Sequence, residues 1–271
     1  MTDELDLVRE ELGELADDLI GPSPPTPAFG VYTCLSGDSG AELARFVERR
    51  VFLDAFANTP GLLSAEYEHY EPSSIFFVVL DHQRRVPAGM MRIILPSPAG
   101  LKSLHDIEPV WGEPVDAVLA RVDGAWDLGR LWDLATLAVN PEYRGNAALG
   151  LVTQGLLQSV NQVALRCGLL RYVTILDVAV LRMLQWKIGR PFHAFPGIEP
   201  RSYLGSAASV PMWCDMALWD ASLAERDETM HHVLFAGTGL EPVLFAPDWD
   251  ATAARVRALM PAIPTNGAPL G

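Results

Sequence analysis

A strand-like apolar run that stops at a proline and hands over to a long helix does most to limit how this chain can fold. Leu131–Val139 reads as a buried strand, and Asn140-Pro141 ends it. After Arg144-Gly145 a helix runs to about Arg166, with Leu149, Val152, Leu156, Val160 and Val163 on one stripe. Gly168 is the expected stop. Residues 172–178 are strand-like again. Strand, helix and strand in this order predict a right-handed crossover with its two strands parallel in one sheet.

The flanking segments supply the rest of that sheet. Leu5, Val8, Leu12, Leu15 and Leu19 have helical spacing over 3–20, and the prolines from Pro22 to Pro27 end that helix, which is expected to pack on the body. A second helix is predicted over 41–57, through Leu43, Phe46, Val47, Val51, Phe52 and Phe56. Residues 75–80 and 89–95 read as an antiparallel hairpin around the polar turn 81–87. Residues 96–130, rich in Pro, Gly and Asp, show no readable period. A short helix over 179–188 closes at Gly189, and 212–219 reads as a late strand. Helical patterns near 222–233 and 250–260 precede a Pro/Gly-rich tail. The class is α/β or α+β, with helices on both faces of the sheet.

Charge narrows the function classes. The 271 residues carry 20 Lys+Arg against 34 Asp+Glu, a net −14, so the overall field does not suit a phosphate backbone and nucleic acid is not an expected partner. An acidic protein could dock only through a local patch, and Arg166, Arg171, Arg182, Lys187 and Arg190 are the candidates. Cys34, Cys167 and Cys214 stand far apart and read as reduced structural residues. No apolar run reaches membrane-spanning length and the acidic N-terminus is unlike a signal peptide, so a cytoplasmic protein is expected. His231-His232 lacks companion ligands at metal spacing, and no metal is expected.

The junction after Val139 carries the chemistry. Small side chains at a helix start leave backbone N–H groups open, and the helix dipole favours an anion there. On these grounds the turn is either a cradle for a pyrophosphate or phosphopantetheine phosphate, or a strand–turn–helix that holds no ligand.

Val139, Pro141, Tyr143, Arg144 and Gly145 resemble the acyl-donor motif of the GCN5-related N-acetyltransferase (GNAT) superfamily. In that motif a Val-x-Pro-x-Tyr/Phe-Arg-Gly segment leads into a glycine-bearing loop and helix. The resemblance implies a mixed, mostly antiparallel central sheet with helices on both faces. It implies that main-chain groups of Leu137, Ala138 and Val139 flank a pantetheine arm. It also implies that the amides of Arg144, Gly145, Asn146, Ala147, Ala148 and Leu149 face a pyrophosphate. The two glycine positions of the loop are Ala147 and Leu149 here. Arg50-Val51-Phe52, the run Glu66 to Glu71, the strand 88–94 and the segment 182–192 follow in the order found in one branch, the autoinducer synthases and long-chain N-acyl amino acid synthases. Together these pieces cover about residues 45–215. The branch usually has Glu-x-x-Arg on its fourth strand, where this chain reads Asp133-Leu134-Ala135-Thr136.

The resemblance implies three regions. These are an N-terminal helix and linker over 1–28, an acyltransferase domain over 29–221, and a C-terminal helical extension over 222–271 packed on it. The implied activity is transfer of an acyl group, medium or long in chain, to the amine of a small molecule. The donor would be a thioester, either acyl-CoA or an acyl-phosphopantetheine on acyl carrier protein. A smaller acetyl donor is the runner-up. The rival class is a catalytically idle relative that binds an acyl thioester, or a partner through its N-terminal helix. Oligomerisation is open.

Among single residues, Asp133 is the first candidate for general base by position in the motif; the other reading is a strand-end carboxylate paired with a helix or an arginine. Leu137 or Val139 N–H is the candidate oxyanion donor. Arg92 lies mid-strand among apolar residues and needs a partner if buried, with Glu68 or Glu71 available. Arg50, Glu68, Glu71, Arg92, His193 and Tyr203 are the candidate substrate-site residues. Gln185 stands where many acetyltransferases place an acidic tyrosine.

Overall fold

The structure is a computed structural model that describes residues 2–22, 26–56, 59–145 and 150–260, the side chains of 2–9 and 60 excepted. In chain order the elements are α1 (Thr2–Ile20), β1 (Phe29–Leu35), α2 (Ala41–Phe56), α3 (Pro60–Glu68), β2 (Ser74–Asp81) and β3 (Val86–Ile94). Three short helices follow, α4 (Lys102–His105), α5 (Ile107–Trp111) and α6 (Val115–Leu119). Then come β4 (Leu131–Val139), α7 (Leu151–Arg166), β5 (Arg171–Asp177), α8 (Val178–Ile188), β6 (His193–Ala194), β7 (Arg201–Tyr203) and β8 (Ser206–Asp215). The chain closes with α9 (Met216–Arg226), α10 (Glu228–His231), β9 (Leu244–Phe245) and α11 (Trp249–Leu259).

The strands form one mixed sheet in the order β6-β8-β5-β4-β3-β2-β1-β9, with β7 paired to β8. Among the described residues, only the pairs β4–β5 and β1–β9 are parallel. Alternation along β2 shows how the sheet is clamped. Phe76, Val78 and Leu80 pack with Leu43, Val47 and Val51 of α2, whereas Ile75, Phe77 and Val79 join the larger core around Leu156, Val160 and Val163 of α7. Leu12, Leu15, Leu19 and Ala16 of α1 pack on the α2 side of the sheet. The crossover from β4 through α7 to β5 is as expected, and Gly168, with φ of 73°, follows the end of α7.

Two expectations change. The late strand ends at Asp215 and residues 216–219 are helical, because the Asp215 carboxylate accepts from the N–H groups of Ala217 and Leu218 and caps α9. The apolar run continues through that boundary and hides it. The pattern near 222–233 is likewise divided: α9 ends at Arg226, Asp227 caps α10, and a π turn follows over His232–Ala236. The short strands β6, β7 and β9, and β1, are additions to the sequence reading. Part of the donor loop, Asn146, Ala147, Ala148 and Leu149, lies outside the described residues.

Candidate functional site

The sheet is nearly two sheets. β5 is held along its whole length by β8, from Arg171↔Asp215 to Asp177↔Ser209. β4 is held by β3 from Ile94↔Asp133 to Gly89↔Val139. Between β4 and β5 only Leu131↔Arg171, Trp132↔Tyr172 and Asp133↔Val173 are paired, although both strands run on. The next strand carbonyl, Leu134 O, is taken by a side chain: Thr174 Oγ1 donates to it at 2.8 Å. At the same place the β3–β4 register shifts, leaving Ala135 without a partner between Leu134 and Thr136. A bulge bends and twists its strand, and here it turns β4 away from β5.

The strands part around a cavity of about 110 Å³. Leu134, Ala135, Thr136 and Leu137 form one wall and Thr174, Ile175, Leu176 and Asp177 the other. Val180 and Leu184 of α8, Leu157 of α7, Met91 of β3, and Phe52 and Phe56 of α2 close it with apolar surface. Tyr67, Phe192 and Tyr203 complete the lining, with Leu204, Ser206 and Ser209 beyond. Asp177 is the single carboxylate among these residues. It caps α8 through the N–H groups of Ala179 and Val180 and accepts from Ser206 Oγ at 2.7 Å. Against the upward push of burial, these bonds hold its carboxyl below the ordinary range.

A polar network stands behind Tyr203. Its hydroxyl donates to Asp106 Oδ2 at 2.5 Å and accepts from the Lys102 ammonium at 3.1 Å. Lys102 is 3% exposed at its side chain and also donates to Asp106, at 2.5 Å, and to Glu66, at 2.7 Å. Burial first, then the neighbouring Tyr67 and Asp106, push the Tyr203 hydroxyl far above its usual pKa, so it stays protonated. The network therefore runs from the cavity wall to Glu66, which is partly exposed.

The candidates named from the sequence fall in different places. Tyr203 and Leu137 line the cavity. Asp133 does not. It is fully buried at the closed end of β4, where its oxygens accept from Ser103 N at 2.7 Å and Ser103 Oγ at 2.6 Å. Burial raises its carboxyl to about 6 despite the Ser103 bonds. Arg92 is 2% exposed at its side chain and is held by Glu48 at 2.6 Å and Glu71 at 2.8 Å, so it pairs with Glu71 as expected; it does not line the cavity itself but stands behind Tyr67 and Thr136, which do. Glu68 is exposed and makes no such pair among the described residues. Arg50 meets Glu142 at 3.0 Å on the surface. His193 is exposed beside Trp213 and belongs to a groove on the far side of α8, as does Gln185.

On the donor side, Ala138 is buried towards the α2 core, and the carbonyl of Val139 accepts from Arg144 Nε at 2.7 Å. Gly145 has φ of 62°, and Gly150, at 75°, precedes α7 with no side-chain cap. Three contributors escaped the sequence reading. Glu48 sits in the apolar stripe of α2, and a carboxylate in that stripe is a signal that could have marked it as buried and paired. Lys102 and Asp106 lie in the stretch without a period, where no comparable signal exists.

No family model and no curated protein matches the chain. Among solved structures it is similar to FeeM, an N-acyl amino acid synthase from uncultured soil microbes, with TM-score 0.54 and 16% identity over 74% of this chain and 97% of that one. It is also similar to BjaI, a CoA-dependent acyl-homoserine lactone synthase, with TM-score 0.49 and 14% identity over 86% of this chain and 99% of that one. A mixed, mostly antiparallel sheet that opens between its two central parallel strands, with the crossover helix starting beside the opening, is the GNAT fold, and this chain has it.

Proposed function

We propose that the protein is an N-acyltransferase that takes an acyl group from a pantetheine thioester and places it on the amine of a small molecule. The observation that carries this reading is the opening between β4 and β5, lined mostly by apolar side chains, with Thr136, Thr174, Asp177 and the Tyr67–Tyr203 wall among its polar groups. A sheet that gives up ladder hydrogen bonds leaves backbone groups without partners. A pantetheine arm carries amide donors and acceptors that can pair with the free edge of β4 at Leu137–Val139, as an added strand does. The acyl chain then lies among Leu134, Met91, Leu157 and Leu184. The fold similarity to FeeM supports the same reading.

The reaction needs a neutral amine and a destination for its proton. Tyr203 is the group in the wall with the right connections. As the amine nitrogen bonds to the thioester carbon, its proton passes to Tyr203 Oη while the tyrosine proton moves to Asp106. Collapse of the tetrahedral intermediate expels the pantetheine thiolate, which takes a proton from solvent while Asp106 releases to solvent the proton it received, so that the relay is restored. Lys102 holds Asp106 and Tyr203 together in this scheme. Asp133 acts from behind as a positioning residue, fixing α4, and with it Lys102, against β4 through Ser103. Arg144, Gly145 and the start of α7 are the residues we assign to the phosphate end of the arm.

A series of acyl-pantetheines tests the assignment with a common amine such as a free amino acid. Turnover rises from acetyl towards octanoyl and longer chains if the apolar opening seats the acyl group. A flat or falling series contradicts an acyl-binding role for it.

A further inference from the structure

The hydroxyls around the cavity all turn their hydrogens into the protein. Tyr203 donates to Asp106, Thr136 to Glu48 at 2.7 Å, and Thr174 to the Leu134 carbonyl at 2.8 Å. Ser209 donates to Ser206 Oγ at 2.9 Å, Ser206 to Asp177 at 2.7 Å, and Tyr67 to the Ala135 carbonyl at 3.5 Å. A hydroxyl has one hydrogen, so these groups keep only lone pairs for a ligand. Backbone N–H groups on the free edge of β4 are donors, and in the reading above they serve the pantetheine arm. A wall of acceptors suits a ligand made of donors. An ammonium has three N–H groups and no acceptor, whereas a carboxylate has acceptors alone.

Charge points the same way on separate grounds. Among the described residues, none that lines the cavity is Lys, Arg or His. The cations behind the wall are engaged. Arg92 gives its guanidinium to Glu48, Glu71 and Ser74 Oγ. Lys102 gives its ammonium to Glu66, Asp106 and Tyr203, and its two carboxylates leave that group with an excess negative charge. Asp177, in the lining itself, meets no cation among the described residues; its three partners, Ala179 N, Val180 N and Ser206 Oγ, are neutral. A carboxylate has about four acceptor positions, so one remains. An acceptor molecule that brought its own carboxylate into this space would lose water, find no cation and face Asp177.

Asp177 is tied to the residue that takes the proton. Tyr203 pairs with Ser206 across the turn between β7 and β8, and Ser206 Oγ is bonded to Asp177. The turn is fixed against the end of α2, since a methyl group added to Gly205 would run into the Phe56 carbonyl. We propose that the acceptor is a diamine or a longer polyamine without a carboxylate, one nitrogen being acylated at Tyr203 while a second, still an ammonium, is held by Asp177. This rests on the acyl-transfer reading above and names the class of its acceptor. The bond changes are those already given: nitrogen–carbon forms, carbon–sulfur breaks, and the proton leaves through Tyr203 and Asp106. The second ammonium keeps its protons throughout. A free amino acid is then a slower acceptor than a diamine.

The test holds the donor at octanoyl-pantetheine and varies only the far end of a four-carbon amine. The acceptors are 1,4-diaminobutane, butylamine and 4-aminobutanoate, whose second ends are positive, neutral and negative, and the amide product is measured by mass spectrometry. The parent's kcat/KM for the diamine exceeds that for butylamine by about tenfold, and 4-aminobutanoate falls below butylamine by about as much again. Asp177→Asn keeps an oxygen to cap α8, and it brings the diamine-to-butylamine ratio to within about twofold of one. That ratio is indifferent to a general loss of activity, and the parent series stands even if the variant does not fold. A diamine no better than butylamine, or 4-aminobutanoate equal to either, overturns the proposal and leaves acyl transfer standing. An unchanged ratio in Asp177→Asn overturns the assignment to Asp177. Transfer to none of these amines, nor to a free amino acid, contradicts the acyl-transfer reading, and the proposal falls with it.

Discussion

The two ends of β4 differ in what they have in place of a neighbour. At Leu131–Asp133 the strand is zipped to β5, and the buried carboxylate of Asp133 is closed off by Ser103. From Leu134 on, the strand has lost β5, carries a bulge at Ala135 and faces a cavity. One end gives rigidity and the other gives space, and two residues of the same strand, Asp133 and Ala135, therefore have opposite sensitivities. A carboxylate at the rigid end is well placed to hold the frame and poorly placed to meet a substrate. In the reaction we propose, the space beside it takes its proton acceptor from elsewhere, through Tyr203, which the loop and helix around Lys102 and Asp106 hold in place.

Filling the open end gives the largest expected effect. Ala135→Trp puts an indole where the acyl chain enters and lowers kcat/KM for acyl-pantetheine by about 10³-fold, because a donor displaced by even an ångström loses a factor of about 10². A loss below tenfold breaks the contrast. Tyr203→Phe comes next. It removes the proton relay while keeping the ring, so kcat falls about 10²-fold with KM little changed. A change in KM alone would assign Tyr203 to binding only.

Asp133→Asn, at the closed end, gives the smallest effect on rate, within about threefold, since an amide can still accept from Ser103. Its signature is in stability. Burial raises the Asp133 carboxyl from 3.8 to about 6, so the folded protein binds that proton more tightly than the unfolded chain does. The contribution is complete below about pH 4 and is lost as pH rises to about 6, amounting to roughly 3 kcal/mol. Urea unfolding at pH 4 and pH 7 shows this decline in the parent and not in the Asn variant, so the parent-minus-variant difference falls between the two pH values. A rate loss near that of Tyr203→Phe would restore Asp133 as the catalytic base.

Much of the frame was legible in the chain because it rests on local periodicity. Leu131–Val139, its proline stop and the stripe through Val160 are enough to place β4, α7 and β5. The opening was not legible as geometry. It depends on which strands pair and where a ladder stops, and a bulge at Ala135 leaves no mark on an apolar run. Arg92 was readable as a buried charge in need of a partner, and Glu71 was among those named, but Glu48 comes from a distant helix. Tyr203 was singled out, yet its partners lie in a stretch whose prolines and glycines obscure any period. The cations of α8 were visible as a cluster; that Arg166 and Arg171 are occupied and Arg182 and Arg190 free is decided only by the tertiary fold.

The most direct test of the central claim is a crystal structure with octanoyl-pantetheine carrying a nonhydrolysable thioether in place of the thioester. The account predicts the arm along the free edge of β4 at Leu137–Val139, with the acyl chain between Leu134 and Leu184. Density for the ligand elsewhere, with β4 and β5 still parted around an empty cavity, would contradict it.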